Sequence, residues 1–193
     1  QGFFPAELDR AVQEILKPKR DWREELRRFF QSLARTEESW TRPNRRFIGT
    51  GLYLPGMRSE AAGELVVGVD TSGSIGQRLL DQFAAELSAI IEDTRPERVH
   101  VVYCDTVVRR TQEFTADDLP LTLTPLGGGG TDFRPVFDWV EQHGVQPECL
   151  VYLTDMCGSF PQHDPGYPVI WAACGWQQGG APFGEVIDIR ERF

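Results

Sequence analysis

The chain has 193 residues, 40% of them hydrophobic and 11% aromatic, enough to fill the core of one domain with some chain to spare at an end. A net charge of −9 and a pI near 4.9 argue against a nucleic-acid binder, since that binding rests on Lys and Arg neutralising phosphates. No apolar run approaches the roughly 20 residues that span a bilayer, and no signal-peptide pattern is visible.

Residues 1–40 read as helical. Leu8, Val12, Ile15 and Leu16 keep helical spacing up to Pro18, and a second helix starts after Asp21 with Trp22, Leu26, Phe29, Phe30 and Leu33 on one face. Its other face carries Arg23, Arg27 and Arg28 among Glu24 and Glu25, the pattern of a solvated surface. Residues 41–63 hold Pro43, Pro55, Gly49, Gly51 and Gly56 with Arg42, Arg45 and Arg46, and read as a connector with a short extended piece at 51–54.

An α/β pattern fills 64–193. A strand is expected over 65–70, then a helix over 77–92 whose Leu79, Leu80, Phe83, Leu87, Ile90 and Ile91 form one stripe. A strand over 98–104 has its hairpin partner at 106–114, and Thr115 stands where it can cap a short helix at 116–119. Four glycines, 127–130, lead into a helix from about Phe133 to Gly144, with Val136, Phe137 and Val140 on its apolar face. Strands are expected over 150–154 and 169–173, and 186–189 is either a last strand or a helix. This alternation predicts a Rossmann-like, mostly parallel sheet with helices on both faces, the 65–70 strand lying between those at 98–104 and 150–154.

The apolar run Val66-Val67-Gly68-Val69 ends in Asp70, and hydroxyls follow at Ser72 and Ser74. Thr131 follows the four glycines, and Asp155 ends the run Leu150-Val151-Tyr152-Leu153-Thr154. Ligand sites in open α/β sheets lie past the carboxyl ends of the strands. Asp70, Ser72, Ser74, Thr131 and Asp155 together form an all-oxygen set suited to Mg2+ or Mn2+. If neutral hydroxyls are the main direct ligands, with Asp70 and Asp155 holding waters, the ion stays electrophilic and can accept a carboxylate from another molecule. Each of these residues taken alone reads equally as a helix cap or a strand-end residue.

Other chemistries lack their motifs. No lysine follows the glycines as in a phosphate-binding loop, no His-Glu-x-x-His is present, and Ser72 stands where an aspartyl-phosphate enzyme of the haloacid dehalogenase type carries a second Asp. His100 reads as a core residue and His143 as a helix-end residue. Cys157 and His163 are the nearest pair for a softer metal. Cys104, Cys149, Cys157 and Cys174 form no Cys-x-x-Cys pair, so free thiols and a reducing cytoplasm are expected.

The pattern Asp-x-Ser-x-Ser, then Thr, then Asp resembles the metal-ion-dependent adhesion site of von Willebrand factor A (VWA) domains. A narrower likeness, from about residue 40 onward, is to the VWA-like domain of predicted bacterial metallopeptidases. It is carried by Gly51-Leu52-Tyr53-Leu54-Pro55-Gly56-Met57-Arg58-Ser59, Pro96-Glu97-Arg98-Val99-His100-Val101, Gly128-Gly129-Gly130-Thr131-Asp132-Phe133-Arg134-Pro135 and Pro182-Phe183-Gly184-Glu185. The resemblance implies that residues 1–40 are the tail of a metallopeptidase-like domain, in keeping with a start at Gln1 rather than Met. It also implies a partner ATPase of the MoxR type in the AAA+ class, and a chain that binds protein through its metal rather than one that catalyses. The alternative is a hydrolase fragment, peptidase or phosphatase, that uses the site catalytically.

Overall fold

The structure, a computed structural model, describes residues 21–35, 63–73, 75–124, 128–175 and 180–190. The expected first helix, the connector over 41–62, Ser74 and Gly127 lie outside the described residues. Helix α1 spans Trp22–Arg35, followed by β1 (Glu64–Asp70), α2 (Gln77–Thr94), β2 (Arg98–Cys104) and β3 (Val108–Phe114). After a 3-10 turn at Ala116–Asp118 come α3 (Arg134–Gln142), β4 (Pro147–Thr154), β5 (Val169–Ala173) and β6 (Glu185–Asp188).

The six strands form one sheet in the order β3-β2-β1-β4-β5-β6. All neighbours run parallel except β3, which returns antiparallel on β2 as the expected hairpin. Strand β1 is buried along nearly its whole length because parallel neighbours flank it and apolar layers cover both faces. Its register sets Asp70 beside Cys104 of β2 and Val69 beside Leu153 of β4, so three strands end at one level. The segment expected over 186–189 as either a strand or a helix forms the strand Glu185–Asp188. At the 3-10 turn after β3, Thr115 and Asp118 form a capping box, in which Thr115 donates its N–H and hydroxyl to the Asp118 carboxylate at 2.8 and 2.7 Å.

Two apolar clusters sandwich the sheet. One joins Leu65, Val67 and Val69 to Leu80, Phe83, Leu87 and Ile91 of α2 and to Trp22, Leu26 and Phe30 of α1. The other joins Val66, Tyr152 and Trp171 to Phe133, Val136 and Phe137 beside α3. The α1 face expected to be solvated is partly engaged: Arg27 reaches Glu86 on α2, and the Arg23 guanidinium stacks 4.5 Å over the Trp22 ring. His100 is buried as expected, but neither ring nitrogen makes a hydrogen bond; they lie 3.6 Å from Glu64 and 3.7 Å from Glu113. Among the described residues no helix is long and apolar enough to cross a membrane.

Candidate metal centre

Asp70 is the last residue of β1 and only 1% exposed. Its Oδ1 accepts the Ser72 backbone N–H at 2.8 Å, which bends the chain out of the strand immediately after the carboxylate. Its Oδ2 accepts the Thr154 hydroxyl at 3.0 Å from the end of β4. The Thr154 oxygen in turn accepts the Met156 N–H at 2.8 Å, and the Asp155 carboxylate accepts the Cys157 N–H at 2.8 Å. These two bonds hold Met156 at φ 66°, a left-handed conformation that costs a non-glycine residue about 1–2 kcal/mol. The turn after β4 is therefore fixed tightly around Asp155.

Burial pushes the Asp70 carboxyl above its ordinary value, and the nearby negative charge of Asp155 adds to the rise. The Ser72 N–H and the Thr154 and Ser72 hydroxyls oppose it without cancelling it. No cationic side chain of the described residues contributes. Two carboxylates thus approach one another at the end of the sheet with only dipoles to support the buried one.

The loop after the glycine run is tied from both sides. The Asp132 N–H donates to the Asp105 carbonyl at 2.7 Å beyond β2, and the Phe133 N–H donates to the Ser159 carbonyl at 3.0 Å beyond β4. Thr131, just before them, accepts the Ser159 N–H on its carbonyl at 3.4 Å. This closeness depends on Gly158: a Cβ there would stand 2.9 Å from the Thr131 carbonyl and 2.8 Å from the Phe133 ring. Gly175, just past β5, does the same for Asp155, whose carbonyl a Cβ would meet at 2.3 Å.

The structure therefore brings Asp70, Ser72, Thr131 and Asp155 to the carboxyl end of β1, β2 and β4, while Ser74 lies outside the described residues. Three further residues shape this end: Asp105, Gly158 and Gly175. Asp105 carries the same sequence signal as Asp70 and Asp155, an acid directly after an apolar strand. It is buried and accepts the Thr106 and Val107 N–H groups and, at 2.8 Å, the Arg109 guanidinium. Burial alone would raise its pKa, but Arg109 and the two N–H groups outweigh burial and bring it down to about 2. Asp132 likewise holds a salt bridge to Arg134, at 2.5 Å, which lowers its pKa.

Chemically the arrangement fits a hard cation. A buried carboxylate without a counter-charge among the described residues, a second carboxylate close by, and hydroxyl-bearing residues on two loops are donors that Mg2+ and Mn2+ accept. A soft metal has less to hold it: among the described residues no three His, Cys, Asp or Glu side chains gather as a metal site. Cys157 is exposed and unpaired, and Cys104 and Cys174 are thiols pushed up to about 12, chiefly by burial.

Residues 1–58 match the family described as "Putative metallopeptidase domain". An "Uncharacterized protein" of Thermotoga maritima is 34% identical over 155 residues, covering 79% of this chain, which spans 37% of that relative. Residues 65–190 match the family described as "VWA-like domain (DUF2201)". With that match running from β1 to just beyond β6, the chain belongs to the VWA-like domain family.

Proposed function

We propose that this chain is a metal-dependent protein-binding module, in which Asp70, Ser72, Ser74, Thr131 and Asp155 hold Mg2+ or Mn2+ and an Asp or Glu of a partner completes the coordination. The observation that carries this reading is Asp70: a carboxylate 1% exposed, raised by burial and by Asp155, and given no cation by the described residues. Burying a charge without compensation is costly, and a divalent ion at this end of the sheet supplies the compensation. The hydroxyls of Ser72, Ser74 and Thr131 add oxygen donors without adding charge, so the ion keeps a net positive field for an incoming carboxylate. Because the chain carries −9 overall, an acidic partner is not attracted at long range, and recognition depends on the ion itself.

In this reading residues 1–40 end a metallopeptidase-like domain, 41–63 connect, and 64–193 form the binding module. The likeness to VWA-like metallopeptidases favours a MoxR-type AAA+ ATPase as partner. The four free cysteines are in keeping with a cytoplasmic setting. The test is a binding measurement between the full chain and such an ATPase. Chelator is expected to weaken the complex, as are Ser72→Ala and Thr131→Ala in folded protein, while Glu92→Ala on the exposed side of α2 has no effect. Equal binding in chelator and to Thr131→Ala refutes the reading.

A further inference from the structure

The two faces of the sheet are covered from different parts of the chain. An α-helix is about 10–12 Å across and strands lie about 4.8 Å apart, so one helix covers roughly two of the six strands. On the face of Val67, Val69 and Leu153, α2 is the one helix that the VWA-like match itself supplies among the described residues. The rest of that face is closed by α1. Trp22, Leu26 and Phe30 are buried in one cluster with Ile170, Ile187 and Ile189, and α1 touches both α2 and β6.

A polar lock accompanies the apolar contact. Glu86 lies midway along α2 and is 6% exposed, a position that a carboxylate tolerates only when paired. Its cation comes from α1: Arg27 Nε stands 2.5 Å from one carboxylate oxygen and a terminal guanidinium nitrogen 3.1 Å from the other. Yet α1 falls within residues 1–58, the segment that matches the metallopeptidase description, and not within the VWA-like match.

We infer that α1 is the fixed joint between the two matched segments: it completes the core of the VWA-like domain, so the metallopeptidase-like segment is held by a docked helix and not only by the connector. The binding surface is the α2–β6 side of the sheet, and its occupant is this chain's own Trp22–Arg35 helix. The inference stands apart from the metal centre, which lies at the carboxyl end of the sheet.

The experiment places a protease site within residues 36–62 of the full chain, cuts it, and follows both pieces by native size-exclusion and mass spectrometry. The pieces are expected to co-elute at the mass of the uncut chain. In the cut chain, Arg27→Glu and Glu86→Arg are each expected to raise dissociation of the pieces at least tenfold, and the double exchange to reverse most of it. Leu26→Asp is expected to release the helix and leave the sheet piece precipitated or self-associated. The inference is overturned if the wild-type pieces separate while the sheet piece stays monomeric and folded by circular dichroism, or if both charge reversals leave dissociation of the cut chain unchanged.

Discussion

Asp70 and Asp105 end neighbouring strands, both are buried, and their environments push them in opposite directions. Asp105 has an internal cation, Arg109, and two backbone N–H donors, which together hold its pKa down to about 2 despite burial. Asp70 has Ser72 and Thr154 for support and Asp155 as a neighbouring charge, and burial leaves it above the ordinary value. A carboxylate that the protein has neutralised is part of the architecture. One buried at the neighbouring strand end, with no counter-charge among the described residues, is a candidate position for a cation from outside. The contrast separates a structural acid from a candidate ligand without reference to any motif.

Breaking the structural member has the largest expected effect. Asp105→Ala removes the acceptor for two N–H groups and Arg109, beside the turn whose carbonyl holds Asp132, and is expected to cost about 3 kcal/mol. That corresponds to a fall in Tm of roughly 6–12 °C for a chain of this size, seen equally with Mg2+ and with chelator in thermal melts. Gly175→Ala comes next, since its methyl group collides with the Asp155 carbonyl. A loss of about 2 kcal/mol is expected from overpacking, together with a weaker response to Mg2+. Gly180→Ala, which meets no atom within 4 Å, is the neutral control.

Acid sharpens the comparison. Asp105 has a lowered pKa, so its stabilisation is present above the ordinary value of 3.8 and is lost as pH falls through about 2. After solvent screening at this shallow site it amounts to something on the order of 1 kcal/mol. Asp70 is raised, so its ionisation works against folding, and its contribution declines as pH rises from 3.8 through the raised value. Melts from pH 2 to 6 are expected to show that Asp105→Asn flattens the acid loss, whereas Asp70→Asn removes a term of the opposite sign. The smallest effect is at pH 7 without metal, where Asp70→Asn is expected to match the wild type or exceed it by a few tenths of a kcal/mol. A clear destabilisation there would place Asp70 with Asp105 as a structural acid.

Most of the fold was legible in the sequence because the strands over 65–70, 98–104, 150–154 and 169–173 are apolar runs buried on both faces, bounded by turns or amphipathic helices. The 186–189 segment reads equally as strand or helix because four residues hold too little pattern to fix a period. Of the candidate site, Asp70 and Asp155 were readable as acids at strand ends. Asp105 carries the same signal, but its pairing with Arg109 depends on the hairpin that returns the chain. Gly158 and Gly175 were not readable, since what they avoid, Thr131 and Asp155, is distant in sequence. Arg27 and Glu86 are 59 residues apart, and a lone charged helix face gives no sign that one of its members is tethered.

The most direct test of the cation assignment is a Mg2+ titration, by calorimetry and thermal melts, of the full chain beside Asp70→Asn and Asp105→Asn. One ion per chain is expected for the wild type, with a stability that rises about 1.4 kcal/mol for each tenfold excess over Kd. Asp70→Asn should lose both the heat and the shift, while Asp105→Asn, though less stable, should keep a shift. No binding by the wild type, or the same binding by Asp70→Asn, would contradict the cation assignment.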